Sequence, residues 1–364
     1  MGAETTERFE VPYAVPPGET LQETLDALGM TQAELARRTG LTPKTINHIV
    51  KGTAPITPTT ALALEKATGV RARFWNNLEV NYQEALSRSA EREALKNDVD
   101  LLDELPHREL VKRGVISDTP DKVELLRRVL AFFGVIDRST WEAVWLKPVA
   151  AFKQSEKLKA HPGAVAAWLR LGEIEASHVE CAEFSKERFR NALERIRSMT
   201  RDDVEQYAPK MVELCAESGV ALVFVPEIKG ARAWGATRWL TPAKAVIQLS
   251  LRYKWEDHFW FSFFHEAGHV LLHGKRDTFI DSDGGDSEFE DEANRFAARI
   301  LIPREYEPEL PYLRSLAQIT EFAERIELHP GIVVGRLQRE KVIDYRVGNR
   351  LRRKLEFVEG SARE

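Results

Sequence analysis

The sequence has little cysteine and no long hydrophobic run. Only Cys181 and Cys215 occur among 364 residues, which is too few for a disulfide framework or for a zinc site built on cysteines. No segment reaches the roughly 18 consecutive apolar residues of a membrane span, and residues 1–17 contain no apolar core typical of a signal peptide. We therefore expect a cytoplasmic protein that has no membrane segment.

The chain also lacks a strong excess of charge of one sign. Its formal net charge is −5, with 43% hydrophobic and 30% charged residues, a composition typical of a globular protein. A slightly acidic chain has no general affinity for nucleic acid, so nucleic-acid binding would require a local basic patch. The length predicts more than one domain.

An H-E-x-x-H motif, formed by His265, Glu266 and His269, lies in an apolar segment that is predicted to form a buried helix. Residues four apart share one face of a helix, so both imidazoles can bind one metal ion at about 2.0–2.1 Å. Glu266 can then act as a general base in peptide hydrolysis. A buried helix favours this zinc site over two unpaired core histidines, because unpaired polar groups are costly to bury.

The class of zinc site depends on a third protein ligand. Metzincin proteases would have glycine at 272 and histidine at 275, where this chain has Leu272 and Lys275, so that class is excluded. A second predicted helix, over residues 290–302, offers a carboxylate instead and is followed by Pro303, which stops it.

Helical periodicity selects one carboxylate in this second helix. Glu290 lies within about 60° of Ala293 on the predicted buried side, so we expect it, rather than Glu292 or Glu288, to be the third ligand. Glu292 aligns with two arginines, at 295 and 299, and is interpreted as part of a surface ion pair. The amide of Asn294 is expected to hydrogen-bond a metal-binding histidine.

Together the two segments resemble the ImmA/IrrE family of metallopeptidases, which share H-E-x-x-H followed by a helix of the type E-x-x-A-N-x-F-A that ends in Leu/Ile-Pro. The resemblance implies a Zn²⁺ cofactor held by His265, His269 and Glu290, with Glu266 as the catalytic residue. It also implies a protein substrate such as a repressor, an antitoxin or the chain itself.

A helix-turn-helix is predicted over residues 30–52. Thr31 and Thr42 are candidate N-caps, and Pro43 suits the first position of the second helix. Gly40 permits the sharp turn between the two helices. Seven basic residues and one acidic residue lie between positions 37 and 73, which is the local basic patch that phosphate contact requires.

We expect this motif to bind double-stranded DNA through the major groove. A helix-turn-helix used only for packing or dimerisation is the alternative. The residues expected to contact DNA are Gln32, Thr42, Pro43, Lys44, Thr45 and His48.

The continuation of this motif, in residues 56–65 and 74–78, resembles the HigA-like branch of XRE regulators, which are antidote proteins of toxin-antitoxin modules. Helix-turn-helix proteins usually dimerise to read two half-sites. We therefore expect a homodimer on a palindromic operator.

The fold class is predicted as mainly α with a small β-sheet (α+β). Strands are expected at residues 219–226, 233–239 and 245–251, and the last of these is predicted to be half exposed. Resemblance to zinc peptidases suggests that this strand binds substrate backbone by β-addition. The predicted domains are a helix-turn-helix domain (1–88), a helical connector (89–205), a zincin-like metallopeptidase domain (206–308) and a C-terminal helical region that is helix-turn-helix-like (309–364).

Three other segments carry predictions. Residues 277–291 are rich in acid and are expected to form a mobile acidic lip on the active site. Residues 319–337 are predicted to form two helices about a turn, which serve packing rather than DNA contact. The basic segment 346–354 is interpreted as a solvated helix end.

Two functions compete on this sequence. The first is a DNA-binding regulator with a zinc-dependent endopeptidase domain, which acts in a stress, phage or toxin-antitoxin response. The second is a non-enzymatic HigA-like antitoxin and autorepressor, whose zinc fold only binds a toxin or senses a ligand. The intact Glu266 favours the enzyme, because a binding protein has no need of a general base.

Overall fold

The structure, a computed structural model, describes residues 15–146, 160–274, 279–282 and 288–357. The chain divides into two compact units, Met1–Val99 and Asp100–Glu364. The four-domain division predicted from the sequence stays a prediction. Within the described residues, no helix is long and apolar enough to cross a membrane.

Two helices of the first unit start at the predicted capping residues. Thr31 and Thr42 are N-caps whose side chains accept hydrogen bonds from backbone N–H groups of the first turn, and Pro43 begins the second helix of the motif. Gly40 has φ 70°, a left-handed conformation that favours glycine. These features confirm the predicted helix-turn-helix. The helices are α1 (Pro17–Ala27), α2 (Gln32–Thr39), α3 (Pro43–Val50), α4 (Pro58–Thr68) and α5 (Ala72–Leu95).

One hydrophobic core holds these helices together. Ile46 and Ile49 of α3 are buried with Leu35 and Ala36 of α2, as the spacing predicts, and Leu41 packs against them while partly exposed. Burial of such aliphatic side chains stabilises the pair by about 1.5–3 kcal/mol each. The opposite face of α3 is thereby left to solvent.

The second unit contains helices on both sides of a small sheet. Its helices before the sheet are α6 (Leu101–Glu104), α7 (His107–Lys112), α8 (Lys122–Phe133), α9 (Arg138–Trp141), α10 (Pro162–Ser177), α11 (Lys186–Ser198) and α12 (Val204–Glu217). The elements that follow are β1 (Val220–Phe224), β2 (Ala233–Thr241), β3 (Lys244–Leu249), α13 (Glu256–Leu272), β4 (Phe279–Ser282), α14 (Glu288–Leu301), α15 (Leu316–Arg325) and α16 (Pro330–Arg339). Short 3-10 segments occur at Lys96–Asp98, Met199–Arg201, Arg304–Tyr312 and Asn349–Leu351, and a π-helical turn occurs at Glu142–Leu146.

The four strands form one mixed sheet in the order β1-β3-β2-β4. β3 pairs parallel with β1 and antiparallel with β2, while β4 adds antiparallel to the other side of β2. β3 is therefore internal, and it has no free edge for β-addition of a substrate. The prediction that this strand binds substrate in that way is wrong. β4 was not predicted.

The prediction that β3 is half exposed is also wrong. Gln248 is buried and its amide donates to the Trp168 carbonyl at 2.7 Å, while the hydroxyl of Ser250, just after β3, donates to the Ala233 carbonyl at 2.7 Å. Polar side chains can be buried when they are hydrogen-bonded in this way. The alternation of polar and apolar residues along β3 therefore does not mark an exposed face, because both faces of the strand are buried.

Helix α10 covers one of these faces. The Trp168 indole N–H donates to the Val225 carbonyl at 3.0 Å. A Cβ on Gly172 would lie 1.8 Å from the Gln248 side-chain oxygen, so the glycine permits this close approach. Part of the region predicted to be a connector therefore packs directly on the sheet.

Helix α13 packs on the opposite face of the sheet. Ile247 and Leu249 of β3 share a core with Phe263 and Ala267 of α13. This core extends to α15 and α16, where Val334 is fully buried. The expectation that these two C-terminal helices serve packing is confirmed.

The basic C-terminal segment is not a solvated helix end, so that prediction is wrong. The Arg352 guanidinium donates to both oxygens of Asp257 at 2.9 and 2.8 Å, and the two side chains are only 8% and 7% exposed. Arg353 pairs with Glu256 at 2.9 Å. Both acidic residues lie in the first turn of α13. The segment thus anchors the start of the helix that carries the H-E-x-x-H motif.

The acidic segment 277–291, predicted as a mobile lip, lies partly outside the described residues. Within it, the structure describes the backbone of 279–282 and the start of α14 at Glu288. The lip stays a prediction.

Candidate metal centre and nucleic-acid interface

Two histidines of α13 and one glutamate of α14 form a buried cluster. The Nε2 atoms of His265 and His269 lie 3.0 Å apart, as expected for residues one turn apart on the same face. Glu290, in the first turn of α14, places Oε2 3.1 Å from the first Nε2 and Oε1 3.4 Å from the second. The candidate ligand atoms all lie within 4.8 Å of one another, so this cluster could hold a metal ion.

The protonation states of His269 and Glu290 suit metal binding. Burial lowers the pKa of His269 to about 4, despite the opposing influence of Glu290, so the imidazole is neutral at pH 7. Burial alone would raise the pKa of Glu290, but hydrogen bonds to His265 and His269 outweigh it and lower the pKa to about 2. Neutral imidazole and ionised carboxylate are the forms that bind a metal, and two histidines with one glutamate is a donor set of catalytic zinc sites. The residues therefore fit the ion.

Small residues allow the two helices to approach closely. A Cβ on Gly268 would lie 3.2 Å from the Ala293 Cα and 3.1 Å from the Phe296 ring. We call this contact between α13 and α14 the Gly268–Ala293 seam. It sets the separation between the histidines of one helix and the glutamate of the other.

Glu266 is fully buried beside the cluster and is held by strand β2. The Thr237 hydroxyl lies 2.7 Å from the Glu266 Oε2 and 3.0 Å from its backbone carbonyl. A Cβ on Gly235 would lie 2.3 Å from Oε1 of the same carboxylate. Strand β2 thus positions the Glu266 carboxylate in two ways. The Thr237 hydroxyl hydrogen-bonds it, and Gly235 leaves room for it because glycine has no side chain. The positions of Thr237 and Gly235 at this carboxylate could not be predicted from the sequence, because they depend on how β2 lies against α13.

The residues predicted to contact DNA lie in α2, in α3 and in the turn between them. Pro43, Lys44 and His48 are exposed on the outer face of α3. Thr45 is partly exposed, and its hydroxyl lies 2.8 Å from that of Thr42, which caps the helix. The exposed face is therefore polar, as direct reading of base edges requires.

Gln32, also predicted to contact DNA, is partly exposed at the start of α2. Its amide donates to the Gln22 side chain at 2.8 Å. Nearby, Glu34 pairs with both Arg37 and Arg38, so part of the predicted basic patch is neutralised within the unit. Phosphate contact through those arginines would require these exposed ion pairs to rearrange, and exposed pairs of this kind contribute little to stability.

Comparison with known families identifies both parts of the chain. Residues 21–75 match the helix-turn-helix family, and residues 228–338 match the IrrE N-terminal-like domain. The chain therefore contains a helix-turn-helix domain and an IrrE N-terminal-like domain. The predicted family resemblance is confirmed. The IrrE-like match spans β2, β3, α13, α14 and most of α16, and hence the whole cluster.

Individual relatives match a smaller part of the chain. The uncharacterized HTH-type transcriptional regulator YddM of Escherichia coli (strain K12) is 35% identical over 63 residues, which is 17% of this chain and 67% of YddM. Among solved structures, PA4674 with its 18-bp operator DNA, from Pseudomonas aeruginosa, is 32% identical over 21% of this chain and 85% of its own, with a TM-score of 0.21. The antitoxin HigA with the higBA promoter, from the same organism, is 29% identical over 23% and 94%, with a TM-score of 0.22.

Each histidine of the IrrE-like cluster has a second contact through its other ring nitrogen. The Nδ1 of His265 lies 3.2 Å from the Asn294 side-chain oxygen, which is the contact predicted from the sequence. The Nδ1 of His269 lies 2.8 Å from the Nδ1 of His273. His273 was not predicted to contact the cluster, although its position four residues after His269 repeats the spacing of the motif.

The two other glutamates considered as third ligands lie elsewhere. Glu288 is exposed at the start of α14. Glu292 places its carboxylate 3.2 Å from the Nε2 of His273, so its interpretation as a surface ion pair with the arginines at 295 and 299 is wrong. The helical phase that separates Glu290 from Glu292 agrees with the structure, while the roles of both residues stay proposals.

Proposed function

We propose that the protein is a cytoplasmic DNA-binding transcriptional regulator whose IrrE-like domain is a zinc-dependent endopeptidase that cleaves a regulatory protein. The observation that carries the proposal is the buried cluster of His265, His269 and Glu290 with Glu266 beside it. Two histidines and a carboxylate, next to a second carboxylate that is not part of the cluster, are the arrangement that hydrolytic zinc sites use.

In this proposal the roles of the residues follow from their positions. His265, His269 and Glu290 would hold Zn²⁺, which supplies Lewis acidity and makes water a better nucleophile at neutral pH. Glu266 takes a proton from the attacking water and delivers it to the leaving amine, so that the scissile C–N bond breaks and a carboxylate and an amine form. Thr237 keeps the Glu266 carboxylate oriented through its 2.7 Å hydrogen bond.

The proposed substrate is a protein, such as a repressor, an antitoxin or the chain itself, and the response is to stress, a phage or a toxin-antitoxin module. The helix-turn-helix would bind a palindromic operator as a homodimer, with Lys44, Thr45 and His48 facing the major groove. This arrangement supports the proposed role as a regulator, because one chain would carry both a DNA-binding domain and a hydrolytic site.

Substitution of the general base tests the enzymatic part. Glu266→Gln should keep the bound metal, because the three ligands are unchanged, while hydrolysis falls by a factor of about 10²–10⁴. Glu290→Ala is the matched comparison, and it should lose both metal and hydrolysis. Proteins that accumulate in cells expressing Glu266→Gln but not in cells expressing the parent are candidate substrates, and their cleavage is then measured with purified proteins.

The outcomes of this test separate the competing functions. Full hydrolysis of a confirmed substrate by Glu266→Gln would contradict the mechanism. A parent protein that binds zinc and its operator, and whose glutamine variant leaves the proteome unchanged, would support the non-enzymatic antitoxin and autorepressor.

A further inference from the structure

A series of side-chain contacts leads from the cluster of His265, His269 and Glu290 to the protein surface through His273. His273 directly follows the last residue of α13, and its extended backbone (φ −107°, ψ 168°) ends the helix. Its imidazole lies beside that of His269, with the two Nδ1 atoms 2.8 Å apart. On its other side, His273 Nε2 lies 3.2 Å from Glu292 Oε2. We call His269, His273 and Glu292 the relay.

The His273 ring is enclosed although it follows the end of the helix. Its side chain is only 1% exposed, whereas that of Glu292 is 42% exposed. The Phe289 ring packs edge-on against it, with ring centroids 4.8 Å apart. The relay therefore links a buried imidazole to a carboxylate that solvent reaches.

Only one arrangement of protons satisfies the Nδ1–Nδ1 contact of His269 and His273 together with the Nε2–Glu292 contact, when His269 binds a metal through Nε2. A neutral imidazole carries one N–H, so the proton of His269 must be on Nδ1. That N–H can donate only to an unprotonated Nδ1 on His273, which must then carry its own proton on Nε2. The second N–H points at the Glu292 carboxylate, which accepts it.

We propose that His273, itself oriented by Glu292, is a positioning residue that fixes the tautomer and ring orientation of His269 for metal binding. The inference rests on the proposed metal centre, and it names how that centre is supported. Metal-binding histidines commonly donate their other N–H to a carboxylate, carbonyl or water, which raises their affinity for the metal. Here the Asn294 side-chain oxygen is the acceptor for His265. For His269 the acceptor is the imidazole of His273, which itself contacts the Glu292 carboxylate.

Two substitutions of His273 separate positioning from mere packing. His273→Phe keeps an aromatic ring against Phe289 but removes both ring nitrogens, and it should weaken zinc binding by a factor of about 10–100. His273→Asn fills the cavity less well, yet it offers an amide oxygen near the place of Nδ1, as Asn294 does for His265. It should therefore bind zinc more tightly than His273→Phe. A purely structural role predicts the opposite order.

Zinc affinity is measured on the full-length protein by competition with a chromophoric chelator, and unfolding of each metal-free protein controls for folding. Glu292→Gln and Glu288→Gln form a matched pair on the same helix. The first alters the end of the relay and should weaken zinc binding, while the second changes an exposed carboxylate outside the relay and should not. A His273→Phe protein that binds zinc within about twofold of the parent would overturn the proposal.

The tautomers themselves provide a test that needs no substitution. In zinc-loaded parent protein, long-range ¹H–¹⁵N spectra of the imidazoles should show the proton of His269 on Nδ1 and that of His273 on Nε2. A proton on Nδ1 of His273 would overturn the relay while leaving the metal centre intact. A parent protein that takes up no zinc would overturn both the metal centre and the relay.

Discussion

The ion pair between Arg352 and Asp257 allows a quantitative test of how the C-terminal segment supports α13. The guanidinium makes two hydrogen bonds to the carboxylate, at 2.9 and 2.8 Å, and its centre lies 4.4 Å from the centroid of the Trp255 ring. A Cβ on Gly335 would lie 2.1 Å from Asp257 Oδ2, so α16 closes over the carboxylate.

Arg352→Met keeps much of the side-chain volume and removes the charge. Because both groups are less than a tenth exposed, the substitution leaves a buried carboxylate without its counter-charge, which costs about 3–5 kcal/mol of the free energy of unfolding. The matched control is Lys254→Met, whose partner is Glu356 at 3.3 Å with side chains 64% and 70% exposed. An exposed pair of this kind contributes about 0–1 kcal/mol.

Urea unfolding followed by tryptophan fluorescence measures both effects in the second unit. Of the eight tryptophans, only Trp75 lies in the first unit, so the signal reports mainly on the second. The double variant Arg352→Met/Asp257→Asn should cost less than the sum of its single variants, because no buried charge is left unpaired. If Arg352→Met cost no more than Lys254→Met, the pair would not anchor α13 and the reasoning would be refuted.

Two further predictions concern the two candidate sites. Gly235→Ala should displace the Glu266 carboxylate, because its Oε1 would be 2.3 Å from the new Cβ. We therefore expect hydrolysis to fall by about 10²-fold while the zinc content stays unchanged. Equal hydrolysis by this variant and the parent would contradict the placement of Glu266. Replacing Lys44, Thr45 and His48 together by alanine should abolish sequence-specific DNA binding while the protein stays folded. Binding is measured by the mobility shift of the protein's own promoter DNA. If the variant bound this DNA with the affinity and salt dependence of the parent, the proposal that these residues face the major groove would be contradicted.

Local signals predicted the local structure. The caps at Thr31 and Thr42 and the turn at Gly40 are all present, because each depends on residues only a few positions away. The helical phase of α14 placed Glu290 on the buried side for the same reason. The H-E-x-x-H spacing likewise predicted that two histidines share one helix face.

The failures all involve contacts between distant parts of the chain. The role of the basic tail depends on Asp257, which lies 95 residues before Arg352, and nothing in the tail itself indicates a buried partner. Gln248 in β3 was expected to be exposed because its hydrogen bond to the Trp168 carbonyl spans 80 residues. Glu292 was assigned to a surface stripe because its contact with His273 requires the position of a second helix.

The Gly268–Ala293 seam bears on what happens when the metal is removed. Gly268 lies in close contact with α14, and its helix shares a continuous apolar core with Ala297 and Leu301, so packing that does not involve the ion holds the backbones that carry the candidate ligands. In zinc fingers, by contrast, ligand binding and folding are a single event. Here a chelator should strip the ion from a protein that stays folded, and the ion should return to a site that is already shaped for it. In the proposed function, metal availability would then switch hydrolysis on and off while the chain stays folded, and so without exposing it to degradation as an unfolded protein.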